Sequence, residues 1–135
     1  MIKKVQVWII EGQDVLLLKV IQKRGSGWHP VTANVEKGED LLDCAKRETF
    51  EETGIRKDAG SWLPLDFSFE YDGRWGRAKE HVFVLKLKSR PSKIVTDASE
   101  HVDHQWVGFE KAKETLGFEP QKEALEKVKC MLSKI

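Results

Sequence analysis

Residues Gly38 to Ile55 read Gly-Glu-Asp-Leu-Leu-Asp-Cys-Ala-Lys-Arg-Glu-Thr-Phe-Glu-Glu-Thr-Gly-Ile, and the rest of the chain is read outward from them. From Asp40 the pattern is helical: Asp40 suits an N-cap, Asp43 follows three residues on, and Gly54 is the expected stop. The spacing predicts a helix from Asp40 to Thr53. Glu48, Glu51 and Glu52 stand at i, i+3 and i+4, so their carboxylates share one face, with neighbouring Cβ atoms about 5–6 Å apart. Like charges so placed oppose the helix by roughly 0.2–0.5 kcal/mol per pair. Arg47 offsets part of this, reaching Glu51 at i+4 and Asp43 at i−4. A bound cation would offset more. Carboxylate oxygens without histidine or thiolate suit a hard ion such as Mg2+, which takes one or two carboxylates, keeps waters and completes its shell with phosphate oxygens. For a lone Glu-x-x-Glu-Glu the ordinary alternative is a solvated acidic face.

Upstream, the stretches Lys3 to Ile10 and Val15 to Ile21 flank Glu11-Gly12-Gln13-Asp14 and predict a hairpin. Gly25, Ser26 and Gly27 mark a loop, and Trp28 to Val35 reads as a short extended stretch bent at Pro30. Downstream, strands Trp62 to Tyr71 and Glu80 to Leu87 are expected around a turn-rich loop from Asp72 to Arg77. A short strand His104 to Val107 leads into a helix Phe109 to Leu116. Gly117 interrupts, and Pro120 opens a terminal helix with Leu125, Val128, Met131, Leu132 and Ile135 at helical spacing. That stripe is most simply core; a dimer face is the alternative.

The chain has 135 residues, the length of a single domain, since domains run to roughly 100–200 residues. Lys and Arg number 23 against 22 Asp and Glu, a net charge of +1, so no global field draws it to nucleic acid or membrane. A polyanion must be held by local groups, and no extended nucleic-acid surface is evident. No apolar run approaches the roughly 18 residues of a membrane span, and after the basic start Met1 to Lys4 the run Val5 to Ile10 is short, carries Gln6 and meets Glu11, unlike a signal peptide. Cys44 and Cys130 form neither a disulfide framework nor a zinc spacing; Cys44 is expected to be a small buried residue. The expected location is cytoplasmic.

The central stretch resembles the Nudix box, G-x5-E-x7-R-E-U-x-E-E-x-G-U, where U is bulky and aliphatic. Glu39, Arg47, Glu48, Glu51, Glu52, Gly54 and Ile55 fall in register, seven of the nine specified positions. Ala33 stands at the first glycine and Thr49 at the first aliphatic position. Alanine keeps the carbonyl but loses easy access to φ > 0. Thr49 is expected to face the core, its hydroxyl bonding back to the carbonyl at i−4. Trp28-x-x-Val31-Thr32-x-x-Val35-Glu36-x-Gly38-Glu39 and Glu100-His101-x-x-x-x-Trp106 resemble the dihydroneopterin triphosphate diphosphatase branch of that family, so the match runs from the first hairpin to the last helix. The implied fold is an α/β/α sandwich with a mixed β-sheet and a loop-helix-loop catalytic motif, a single domain over residues 1–135.

The resemblance also implies roles. Glu48 and Glu52 would be the main Mg2+ ligands (Mn2+ a substitute), Glu51 a direct or water-mediated one, and the Ala33 carbonyl a further ligand. Arg47 would orient the carboxylates, and Glu39, with Gly38 and Gly54 as structural parts of the motif, would tie the loop to the helix. Glu100 matches a loop glutamate that binds metal or acts as general base; Glu52 and Glu48 are equally open as the base. Lys19, Lys23 and Arg24 sit where the family often places phosphate-binding cations, and solvated strand-end charge is the alternative. Arg74, Trp75, Arg77 and Lys79 would grip phosphate and stack on a flat ring, or form an ordinary exposed hairpin tip. Trp28 beside His29 would wall a base pocket, or belong to the core. His29, His81, His101 and His104 lack a metal-binding spacing and read as packing or hydrogen-bonding residues.

The expected function is Mg2+-dependent hydrolysis of a diphosphate linkage in a small nucleotide-like compound, first a nucleoside or pterin triphosphate. Second come a dinucleoside polyphosphate, a nucleotide sugar or an RNA 5′ end. A binding domain that has lost catalysis is the rival that Ala33 keeps open. An unrelated structural protein with an acidic helix is the third reading.

Overall fold

A computed structural model describes residues 1–20, 27–96 and 101–134. Its elements run β1 (Ile2–Glu11), β2 (Asp14–Val20), β3 (Trp28–His29), β4 (Val31–Asn34), α1 (Leu41–Thr53), β5 (Gly60–Gly73), β6 (Gly76–Leu87), β7 (His101–Gly108), α2 (Phe109–Thr115) and α3 (Glu119–Leu132). The described strands form one mixed sheet in the order β3-β2-β1-β6-β5, with β4 also on β1 and β7 on β2. The β1–β2 hairpin closes at Glu11 and Asp14, where Gly12 takes φ 62°. Pro30 separates β3 from β4, as its missing N–H requires. β1 lies parallel to β6 and antiparallel to its other partners.

Two apolar clusters sandwich the sheet. Val5, Val7, Ile9, Leu16, Leu18, Val31 and Leu85 pack against Cys44 and Ala45 of α1. Trp8, Ile10, Val15, Leu17, Val82 and Val84 pack against Ala112 of α2 and Ala124, Leu125 and Val128 of α3. Because both faces of β1 are covered, Val5 to Ile10 are all buried, with no exposed alternation left. Gln6 is the polar member of that run. Its Oε1 accepts from Trp8 Nε1 at 2.7 Å and its Nε2 donates to Glu80 at 2.6 Å, while Tyr71 donates to the other Glu80 oxygen at 3.0 Å.

The terminal stripe is core at Leu125 and Val128 and partly buried at Met131 and Leu132; Ile135 lies outside the described residues. The loop expected from Asp72 to Arg77 is shorter than its composition suggests. Strand pairing continues to Gly73 opposite Gly76, leaving Arg74 and Trp75 alone as the tip, because Gly76 takes φ 124° and closes the turn tightly. The last strand is likewise longer than expected, His101–Gly108, since its pairing with β2 extends to Val20.

Candidate active site

Helix α1 is bounded as its sequence dictates. Asp40 in extended conformation accepts from the Leu42 and Asp43 amides at 3.1 and 3.3 Å. Gly54 ends the helix in the left-handed region at φ 77°, its N–H donating to the Phe50 carbonyl at 2.8 Å. A Cβ at Gly54 would stand 3.3 Å from Cβ of Val95, so this position opposes substitution by both conformation and space. Cys44, Ala45, Thr49, Glu52 and Thr53 are the buried residues of the helix. Cys44 Sγ lies 3.6 Å from the Asn34 carbonyl, which ties α1 to the end of β4. Burial pushes the Cys44 thiol up to about 12.

Arg47 organises the acids. Its Nε and Nη2 donate to the two oxygens of Glu39 at 2.7 and 3.0 Å, and its Nη1 donates to Glu48 at 2.7 Å and Glu51 at 3.1 Å. Glu36 adds a fourth carboxylate at 3.7 Å. The i−4 partner expected for Arg47, Asp43, is not among these: the fork turns toward Glu39 on the preceding loop, where two parallel bonds are available instead of one. The Arg47 hydrogen bonds and then the Glu36 amide lower the Glu39 carboxyl to about 2. The hydrogen bonds it donates to Glu39, outweighing the cost of burial, hold Arg47 above the ordinary guanidinium value.

The three clustered acids of α1 differ in exposure: Glu51 is 53% exposed, Glu48 18% and Glu52 3%. Among the described residues no three side chains of His, Cys, Asp and Glu converge on one point. The donor set still fits a hard divalent cation. It consists of oxygens only, Glu48 and Glu52 are one turn apart, and Mg2+ needs no more than one or two carboxylates when waters and phosphate complete its shell. It does not fit zinc, which would take histidine or thiolate.

Ala33 lies in β4 opposite Val5, and among the described residues only glycines have positive φ. Its backbone is therefore one that alanine adopts without strain. Thr49 faces the core as expected, but its hydroxyl is buried without a hydrogen-bond partner. The back-bond expected of it is made one turn later: Thr53 Oγ1 donates to the Thr49 carbonyl at 2.6 Å and accepts from the Ile55 amide at 3.1 Å.

The remaining sequence candidates are scattered. Lys19 and Trp28 pair across β2 and β3, with the ammonium 5.7 Å from the ring centroid. Leu16 and Leu18 point to the α1 cluster, so Lys19 stands on the other face with Val15 and Leu17, where Trp28 also packs. Arg74 lies over the Trp75 ring at 4.9 Å, and Trp75 is 76% exposed at the hairpin tip. Arg77 is bound to Asp72 at 3.0 Å and Glu70 at 3.6 Å. Lys23, Arg24 and Glu100 lie outside the described residues, as does the side chain of His101. On the α1 face of the sheet the sequence singles out no role for Lys3 and reads His81 only as a packing or hydrogen-bonding residue, because the parallel register of β1 and β6 that joins them is not local.

The family model of the NUDIX domain matches residues 3–128. The chain belongs to the NUDIX domain family. An RNA pyrophosphohydrolase of Roseobacter denitrificans is 28% identical over 116 residues, 76% of this chain and 72% of that protein. The chain spans about a third of the length of other curated relatives it matches, among them an octanoyltransferase of Myxococcus xanthus, 28% identical over 93% of this chain and 36% of that protein. Among solved structures, a C. elegans Ap4A hydrolase binary complex superposes with a TM-score of 0.86 at 22% identity over 100% of both chains. The E. coli dihydroneopterin triphosphate pyrophosphohydrolase gives 0.81 at 23% identity over 92% of each. At such identities the likeness is one of fold, and it is the α/β/α sandwich expected from the sequence.

Proposed function

We propose that this chain, as a single domain, is a Mg2+-dependent hydrolase of a diphosphate linkage in a small nucleotide-like compound, with a nucleoside or pterin triphosphate as its first substrate class. The observation that carries the reading is Arg47, forked on Glu39 and bonded to Glu48 and Glu51, holding a row of carboxylates on one face of α1. Such a row opposes the helix it stands on, and a bound divalent cation would offset the repulsion that Arg47 leaves. The names of two relatives support the class, an RNA pyrophosphohydrolase and a dihydroneopterin triphosphate pyrophosphohydrolase.

In this reading Glu48 and Glu52 would hold the metal, Glu51 would assist directly or through water, and the Ala33 carbonyl would contribute from β4. A bound Mg2+ supplies charge stabilisation on phosphate oxygens and acidifies water. Arg47 keeps Glu48 and Glu51 in place, and Glu39 keeps Arg47 in place. Water would attack one phosphorus of the diphosphate linkage, the oxygen between the two phosphorus atoms would leave with the departing phosphate, and the proton would pass to a carboxylate of Glu52, Glu48 or Glu100. No side chain is acylated or phosphorylated. Dinucleoside polyphosphates, nucleotide sugars and RNA 5′ ends form the second substrate class, in keeping with the Ap4A hydrolase fold match. The test follows product formation across these classes with Mg2+, and Glu52→Gln serves as the control. Nucleotide binding without turnover would favour a non-catalytic domain.

A further inference from the structure

We propose that Lys3, Lys79 and His81 form an anion subsite on the sheet face beside α1, and that it holds a phosphate of the substrate away from the cleaved linkage. The inference rests on the hydrolase reading for its substrate, though not for the existence of the subsite.

The parallel register of β1 and β6 sets Lys3 opposite Lys79 and Val5 opposite His81. On its other side Val5 faces Ala33 of β4. Val5 belongs to the α1-side cluster and Phe83 packs against it, whereas Val82 belongs to the opposite cluster. Alternation therefore brings Lys3, Lys79 and His81 to the α1 face. Ala33 and His81 lie two strand spacings apart, about 10 Å, within reach of one compound bearing several phosphates.

The strip is positively charged and uncompensated. Among the described residues neither lysine has an ion-pair partner. Glu70, the acid opposite Lys79 across β5, is engaged by Arg77, which also holds Asp72. Two ammonium groups directly opposed in a ladder destabilise it. Burial, then Lys79 and Lys3, hold the His81 imidazole below its ordinary value, so both ammoniums act on that ring. A phosphate set among the three would relieve the repulsion and gain charge-assisted hydrogen bonds. With a net charge of +1 the chain has no general attraction for polyanions, so binding here would be local.

The test uses inorganic tripolyphosphate in metal-free buffer, where the acids of α1 repel the probe and the strip alone attracts it. Amide and imidazole resonances of the whole chain are followed during titration. We expect saturable shifts centred on Lys3, Lys79 and His81, and a dissociation constant raised tenfold or more in the Lys3→Ser/Lys79→Ser variant. Lys57→Ser/Lys111→Ser, which changes net charge equally, should bind as the parent does. If the double variant does not fold, each single substitution should weaken binding about threefold. No saturable binding, unchanged binding in the strip variants, or shifts confined to Lys19 or to Arg74–Arg77 would overturn the subsite. Binding at the strip in a protein that hydrolyses none of the panel would instead overturn the hydrolase reading alone.

Discussion

Arg47 and Glu39 are joined by two parallel hydrogen bonds, 2.7 and 3.0 Å long, that clamp the loop preceding α1 to the second turn of the helix. The clamp leaves the third guanidinium nitrogen, Nη1, to reach Glu48 and Glu51. One planar fork thus sets both where the helix begins and where its acids point. Arg47→Lys keeps the charge and loses the fork. We expect it to remain folded by circular dichroism while turnover falls at least tenfold, mainly in kcat. Turnover within a factor of two of the parent would remove Arg47 as a positioning residue.

The same clamp makes a pH prediction. The Glu39 carboxyl is lowered to about 2 in the folded chain, below its unfolded value of about 4.3. A depressed carboxylate contributes stability that is fully present above the unfolded value and is lost as pH falls through the folded one. Between about pH 4.5 and 2, therefore, the parent should lose stability more steeply than Glu39→Gln, measured by denaturant melts at each pH. Parallel curves for the two proteins would contradict the clamp.

Thr49 offers a stability gain. Its hydroxyl is buried without a partner, and an unsatisfied buried polar group costs about 1–3 kcal/mol. Thr49→Val keeps the shape and restores the aliphatic character that the motif carries at this position. Stability in denaturant should rise by about 1 kcal/mol. A loss of that size would mean that the hydroxyl has a partner in solution.

The two cysteines should differ sharply in reactivity. Cys44 is buried with its thiol pushed up to about 12, whereas Cys130 is exposed on α3. A thiol reagent at pH 8 should modify one equivalent quickly in the native protein and a second only on unfolding, the thiolate being the reactive form. Cys130→Ser should abolish the fast phase; rapid labelling that survived this change would show that Cys44 is accessible.

Helix α1 and its acids were legible because everything that defines them is local: an N-cap, a glycine stop, acids at i, i+3 and i+4, and a motif in register. The hairpin and the two C-terminal helices were legible for the same reason. Contacts set by strand register were not. Nothing local states that β1 runs beside β6 and brings Lys3 to Lys79, or that Lys19 and Trp28 fall on the face away from α1. The Asp43 partner expected for Arg47 failed because Glu39 offered a second bond from outside the helix. Ala33 looked like a conformational liability only until its place in an extended strand was known.

The central claim is that the acids of α1 hold a divalent cation for hydrolysis, and Glu52, 3% exposed and one turn from Glu48, is its sharpest point. The most direct measurement is the Mg2+-dependent release of products from a panel of nucleoside triphosphates, dihydroneopterin triphosphate, dinucleoside polyphosphates and nucleotide sugars, by the parent and by Glu52→Gln. We expect Mg2+-dependent cleavage of one class, with a hundredfold or greater loss in a variant that remains folded. Cleavage independent of Mg2+, or undiminished in Glu52→Gln, would contradict it.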